Sequence, residues 1–257
     1  MTSIKTKKII LFVVEGPTDR TTLENAFRNA FRIRHRHADV KIKVVHGDYT
    51  LKNASGKLIS PSSILEETTR FVTEYLRVLK ETDGVRPSDI LAIAQITDLD
   101  ASFADSSCFV YDSQSERVCY DVDQRLVCSN HIDDIFELRQ GKRVNMLKLY
   151  SHANVKVSKI SLPYHLFYFG INLEHALYGK PNCTDNEKMD LSESFDDQYG
   201  DDYEGFMSKI QSIASIDGNY YASWSEDKLE SSAFLPISNI SCIFDWIKTL
   251  IDAYQDS

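Results

Sequence analysis

Ile9-Ile10-Leu11-Phe12-Val13-Val14-Glu15-Gly16-Pro17-Thr18-Asp19 decides how the rest of the chain is read. Six apolar, mostly β-favouring residues stop at a carboxylate, a Gly-Pro turn and a Thr-Asp pair suited to open a helix. Ligands of open α/β sheets bind beyond the carboxyl ends of the strands, so an acid at a strand tip is placed for function. Ile90-Leu91-Ala92-Ile93-Ala94-Gln95-Ile96-Thr97-Asp98-Leu99-Asp100 is a second apolar run, and it ends in Asp-x-Asp. Laid in one sheet, the two strands bring Glu15, Asp98 and Asp100 around one point, with Asp19 one helical turn further on. Carboxylates that close repel by several kcal/mol at intermediate dielectric. A divalent cation relieves the repulsion, and oxygen-only ligands favour Mg²⁺ or Mn²⁺.

Working outward, the chain reads as βαβαβ. Leu23, Ala26, Phe27, Ala30 and Phe31 recur at helical spacing, with Thr18 or Asp19 as the cap. A short strand over residues 40–45 ends at His46-Gly47-Asp48, and residues 49–60 read as loop. Pro61-Ser62-Ser63 opens a second helix that closes near Asp83-Gly84, ahead of the strand at 90–97. Strands alternating with helices of this length imply a parallel sheet with right-handed crossovers. Beyond Asp100, residues 117–128 alternate weakly, as a hairpin would. Residues 132–150 read as helix with a break near Gly141, and 159–169 as a strand whose Tyr164, Phe167, Tyr168 and Phe169 belong to the core. From residue 186 the pattern is mostly helical. The expected fold is α/β: a Rossmannoid parallel sheet with helices on both faces over residues 1–180, an insertion at about 111–155, and a helical C-terminal elaboration over 181–257 packed on it.

The 257 residues, 42% hydrophobic and 26% charged, have the make-up of a water-soluble globule. Neither a signal peptide nor a membrane span fits the short N-terminal apolar run, and the expected location is cytoplasmic. Cys108, Cys119, Cys128, Cys183 and Cys242 contain no Cys-x-x-Cys pair and read as reduced thiols. A net charge of −9 argues against coating nucleic acid by bulk electrostatics. The charge is uneven, however. Arg28, Arg32, Arg34, His35, Arg36 and His37, then Lys41 and Lys43, form a basic block after the first helix. It is either a solvated helix end that suits the macrodipole or a phosphate-backbone contact beside the acidic site. The histidines lack zinc-ligand spacing, and neither a P-loop nor a Gly-x-Gly-x-x-Gly turn is present.

Glu15-Gly16 after the first strand, with Asp98-x-Asp100 after a later one, resembles the two signature elements of a Toprim domain. The extended form Glu15-Gly-x-x-Asp19 resembles Toprim nucleases of the OLD (overcoming lysogenization defect) class and the stand-alone Toprim effectors of PARIS-type phage-defence systems. The likeness covers residues 8–110. Tyr168-Phe169-Gly170-Ile171-Asn172-Leu173-Glu174-His175 resembles a segment of small Toprim proteins in which a downstream acid supplements the site.

The resemblance implies Glu15 as metal ligand or general acid/base, Asp98 and Asp100 as Mg²⁺ ligands, and Asp19 as a ligand to the same or a second ion. Glu174 would be a further ligand, with His175 orienting a water or phosphate; the alternative is a helix start capped by Asn172. Lys156 and Lys159 are candidates for the basic residue near the scissile phosphate, and Arg28, Arg32, Arg34 and Arg36 for backbone contacts. The expected activity is metal-dependent phosphodiester hydrolysis on DNA or RNA in anti-phage defence, governed by a partner ATPase, with a homodimer left open. The rivals are a non-catalytic Toprim-like binding module and a Toprim phosphotransferase.

Overall fold

The computed structural model of the protein describes residues 8–34, 38–44, 48–53, 55–216 and 218–255. The three long apolar runs become neighbouring strands: β1 (Lys8–Val14), β3 (Ile90–Asp98) and β8 (Ile160–Phe169). Residues 9–14 and 90–97 are buried throughout, as expected for strands covered on both faces. With β2 (Ala38–Val44) outside β1 and the short β7 (Asn154–Val157) outside β8, the order is β2-β1-β3-β8-β7. Four strands run parallel; β7 is antiparallel to β8 and was not expected.

Helix α1 (Pro17–Arg34) connects β1 to β2, and α2 (Ile64–Asp83) leads from β2 back across to β3. The two crossovers move in opposite directions along the sheet, so right-handedness puts α1 and α2 on opposite faces. Gly84 ends α2 with φ 69°, the left-handed cap its position suggested. The insertion builds a small sheet in the order β4-β6-β5 from β4 (Phe109–Tyr111), β5 (Cys119–Asp121) and β6 (Leu126–Ser129), so the expected hairpin is present. It is followed by α3 (Ile132–Tyr150), which packs beside α2. The helix passes through Gly141 without a break, because one glycine costs about 1 kcal/mol and the tertiary contacts of α3 outweigh that.

Beyond β8 come α4 (Leu173–Tyr178), α5 (Asp185–Tyr199), α6 (Tyr203–Ser212), α7 (Glu226–Ser231) and α8 (Cys242–Gln255). They share the core of the α/β unit. Phe27 of α1 stacks on Phe12 at 4.5 Å, and Phe31 stacks on Phe244 of α8 at 5.2 Å; Phe206 of α6 meets Phe27 edge-on. Residues 235–239 lie along the end of β8. Gly170 N–H donates to the Ile237 carbonyl at 2.8 Å, Tyr168 N–H to Asn239 Oδ1, and the Ser238 hydroxyl to the Tyr168 carbonyl. A Cβ on Gly170 would stand 2.8 Å from the Leu235 carbonyl oxygen, so glycine is needed for that approach. Among the described residues no helix is long and apolar enough to cross a membrane.

Candidate functional site

Parallel pairing of β1 with β3 sets Glu15 beside the end of β3. The Thr97 hydroxyl donates to Glu15 Oε1, and the Asp98 N–H lies 3.4 Å from the same oxygen. Glu15 and Thr97 therefore share one face of the sheet, and Asp98, the next residue, projects to the other. Phe12 contacts α1, so the face opposite Glu15 is that of α1, which carries Asp19 in its first turn. Asp19 Oδ2 accepts from the Gly16 N–H at 2.9 Å, closing the helix start as a cap. Asp100 lies past the strand with φ 52°, and Ala101 follows at φ 56°. Left-handed backbone costs a non-glycine residue about 1 kcal/mol. It turns Asp100 away from the path of β3, towards α3.

On that side the carboxylates meet cations from α3. Lys142, 0% exposed, places Nζ 2.7 Å from Asp100 Oδ2, 2.5 Å from Asp48 Oδ2 and 3.8 Å from Glu15 Oε1. Arg139 Nη1 is 3.1 Å from Asp100 Oδ2, and the Tyr120 hydroxyl donates to Asp100 Oδ1 at 3.2 Å. Asn145, one turn on, donates to the carbonyls of Thr50 and Ile59 and so holds the loop that carries Asp48. On the α1 side Asp98 neighbours Asp19, which in turn neighbours Glu174; Lys188 of α5 lies 3.6 Å from Glu174 Oε2, and Lys142 acts more weakly on Asp98.

The protonation equilibria divide accordingly. Burial alone would raise Asp100, but Arg139 and Lys142 outweigh it and hold the carboxyl well below its ordinary range. Burial, then Asp48, push Glu15 from 4.5 to about 8 despite Lys142. Burial and Glu174 push Asp19 from 3.8 to about 6 against the Gly16 N–H. Asp98 rises well above the carboxylate range through burial, Glu15 and Asp19.

Glu15, Asp19, Asp98, Asp100 and Glu174 thus converge at one end of the sheet. The expected basic residues do not. Lys156 and Lys159 flank the β7–β8 turn, where β8 begins, about 30 Å along the strand from Phe169, the partner of Asp98. Arg28, Arg32 and Arg34 lie towards the far end of α1, some 16–26 Å along the axis from Pro17. Arg28 pairs with Glu24, Arg32 donates to Asn29, and Arg34 donates to Tyr203 while lying over Phe244. Arg36 falls outside the described residues. The helix is simply long enough to carry the block away from the site. His175 is buried and its pKa is lowered by that burial, which removes it from contact with a phosphate arriving from solvent; its N–H donates to Asn172, the cap the sequence suggested.

Lys142, Arg139, Asp48, Tyr120 and Lys188 were not anticipated. One signal existed for Lys142: it sits in phase with Asn145, Met146 and Leu149, the buried stripe of α3. A lysine on such a stripe needs an acidic partner.

Among the described residues, no three His, Cys, Asp or Glu side chains already form a metal-holding group. The donor chemistry still fits a hard cation on the α1 side. There the carboxylate of Asp98 has no hydrogen-bond or ion-pair partner among the described residues, and the Asp19 carboxylate adjoins it. Asp100 is committed to Lys142 and Arg139. Comparison of the chain with protein-family models, curated proteins and solved structures gives no match.

Proposed function

We propose that the chain is a metal-dependent phosphodiesterase acting on DNA or RNA. The observation that carries this reading is the crowding of carboxyls at the strand tips: burial first, then neighbouring carboxylates, keep Glu15, Asp98 and Asp19 pushed towards protonation even with Lys142 in place. Glu15, Asp98 and Asp19 would hold Mg²⁺ or Mn²⁺, with Glu174 behind Asp19. Bound there, the ion would supply an activated water and neutralise charge on the phosphate. Lys142 orients Asp100, Asp48 and Glu15 from within the protein. Lys188, whose side chain is one-third exposed, is the cation on the α1 side able to meet a phosphate from solvent. The likeness to phage-defence Toprim effectors extends the proposal to an antiviral role under a partner ATPase; the absence of a P-loop from the chain is in keeping with that division of labour.

One observation favours the rival, a non-catalytic module. Lys142 is a fully buried internal counter-ion, so half of the acidic cluster is satisfied without a metal. Incubation with plasmid, single-stranded DNA and tRNA, with Mg²⁺, Mn²⁺ or EDTA, separates the two. Cleavage that needs metal and disappears in Glu15→Ala and Asp98→Ala is expected. Binding without cleavage, unchanged by both substitutions and by the addition of the partner, would establish the module.

A further inference from the structure

In the small sheet, Cys119 of β5 lies directly opposite Cys128 of β6, with Tyr120 opposite Val127 and Asp121 opposite Leu126. Both backbone groups of Tyr120 turn away from β6: its N–H donates to Asn182 Oδ1, and its carbonyl accepts from Asn182 Nδ2, each at 2.8 Å. Pairs with and without mutual hydrogen bonds alternate along an antiparallel ladder, so Cys119–Cys128 is a hydrogen-bonded pair. The Cα atoms of such a pair stand about 5.5 Å apart, inside the range a disulfide requires. Tyr120 and Val127 fill the buried face, while the two cysteines share the half-buried opposite face. Burial and then the neighbouring Cys119 raise the Cys128 thiol.

We propose that Cys119 and Cys128 form a reversible thiol–disulfide site. The oxidant is a low-molecular-weight disulfide such as oxidised glutathione. One cysteine thiolate attacks it and expels a glutathione thiol; the second cysteine thiolate then attacks the mixed disulfide and expels the other. One protein S–S bond forms, one glutathione S–S bond breaks, and the two cysteine protons end on the two glutathione thiols. Facing Cβ atoms in such a ladder lie about 4.5–5.5 Å apart, whereas a disulfide draws them to about 3.8 Å. The strands must close up, and strained bonds of this kind are the readily reduced ones. The movement reaches the acidic centre, because Tyr120, adjacent to Cys119, donates to Asp100. The site stands whether or not the chain is a nuclease.

Peptide mapping by mass spectrometry of the intact chain, equilibrated in graded oxidised-to-reduced glutathione and alkylated, tests it. The expected product is a peptide joined through Cys119 and Cys128, two hydrogens lighter, formed before any other cysteine pairing and reversed by dithiothreitol. In Cys119→Ser, Cys128 should carry glutathione instead. The proposal is overturned if both thiols are alkylated at ratios that already modify Cys183. It is equally overturned if they end only as separate glutathione adducts or as bonds to other cysteines.

Discussion

On the α3 side of the strand tips, Asp100, Asp48 and Glu15 face the buried Lys142 and the partly exposed Arg139; on the α1 side, Asp98, Asp19 and Glu174 have Lys188 beside them, with Lys142 a weaker influence on Asp98. Asp98 and Asp100 are separated by a single leucine, yet one is pushed towards its neutral form and the other is held firmly ionised. The difference teaches where an added cation gains most. A divalent ion placed against Asp100 would repel Lys142 and Arg139, whereas one placed between Asp98 and Asp19 would take the place of protons that burial and crowding favour there. An acidic cluster counted as one object in sequence has two unlike sides in space.

The largest break in this comparison comes from removing the shared cation. Lys142→Met should lower unfolding stability at pH 7 by about 3–5 kcal/mol in urea titrations, since it takes from Asp48 its ion-pair partner and leaves Asp100 with Arg139 alone. The pH dependence is the next lever. Glu15 binds a proton more tightly folded than unfolded, so its contribution is fully present below about pH 4.5 and is lost as pH rises through about 8. Metal-free protein should therefore lose on the order of 2–4 kcal/mol between those limits, by urea midpoints across pH, and Glu15→Gln should flatten the slope. If 5 mM-scale Mn²⁺ — roughly that concentration, chosen to exceed a typical weak site — flattens it too, the ion has taken the proton's place.

Asp19→Asn should have the opposite sign to Lys142→Met. It removes one of the crowded charges while keeping an oxygen for the Gly16 N–H, so stability at pH 8 should rise by about 1–2 kcal/mol. A fall would mean that Asp19 is stabilising in its ionised form and that the α1 side is better compensated than its neighbours suggest. The smallest effect is expected at Gly141, where an added Cβ meets nothing within 4 Å. Gly141→Ala should raise stability by about 0.5–1 kcal/mol in the same titration, stiffening the helix that delivers Arg139 and Lys142.

The strands of the sheet and the convergence of its acids were legible because both are written in short-range pattern: unbroken apolar runs ending in Glu15 and Asp98. The split between the two sides was not, because it depends on backbone conformation at Asp100 and Ala101, residues whose types do not announce a left-handed turn. Lys142 and Arg139 were hidden for another reason. Their partners lie just past β1 and β3, in the loop at Asp48 and in β5, all outside the helix, and one basic residue in a mixed helix is an ordinary sight. The arginines of α1 misled by clustering in sequence, where only helix length decides whether a cluster reaches the strand tips.

Gly170 joins two halves of the molecule that a sequence reader would cut apart at residue 180. By letting residues 235–239 press against the strand that pairs with Asp98, it makes the segment ahead of the last helix a clasp on the strand tips. Changes in this distant tail, then, can retune acids to which none of its residues is directly bonded, and a shortened version of the protein would be a poor stand-in for the whole.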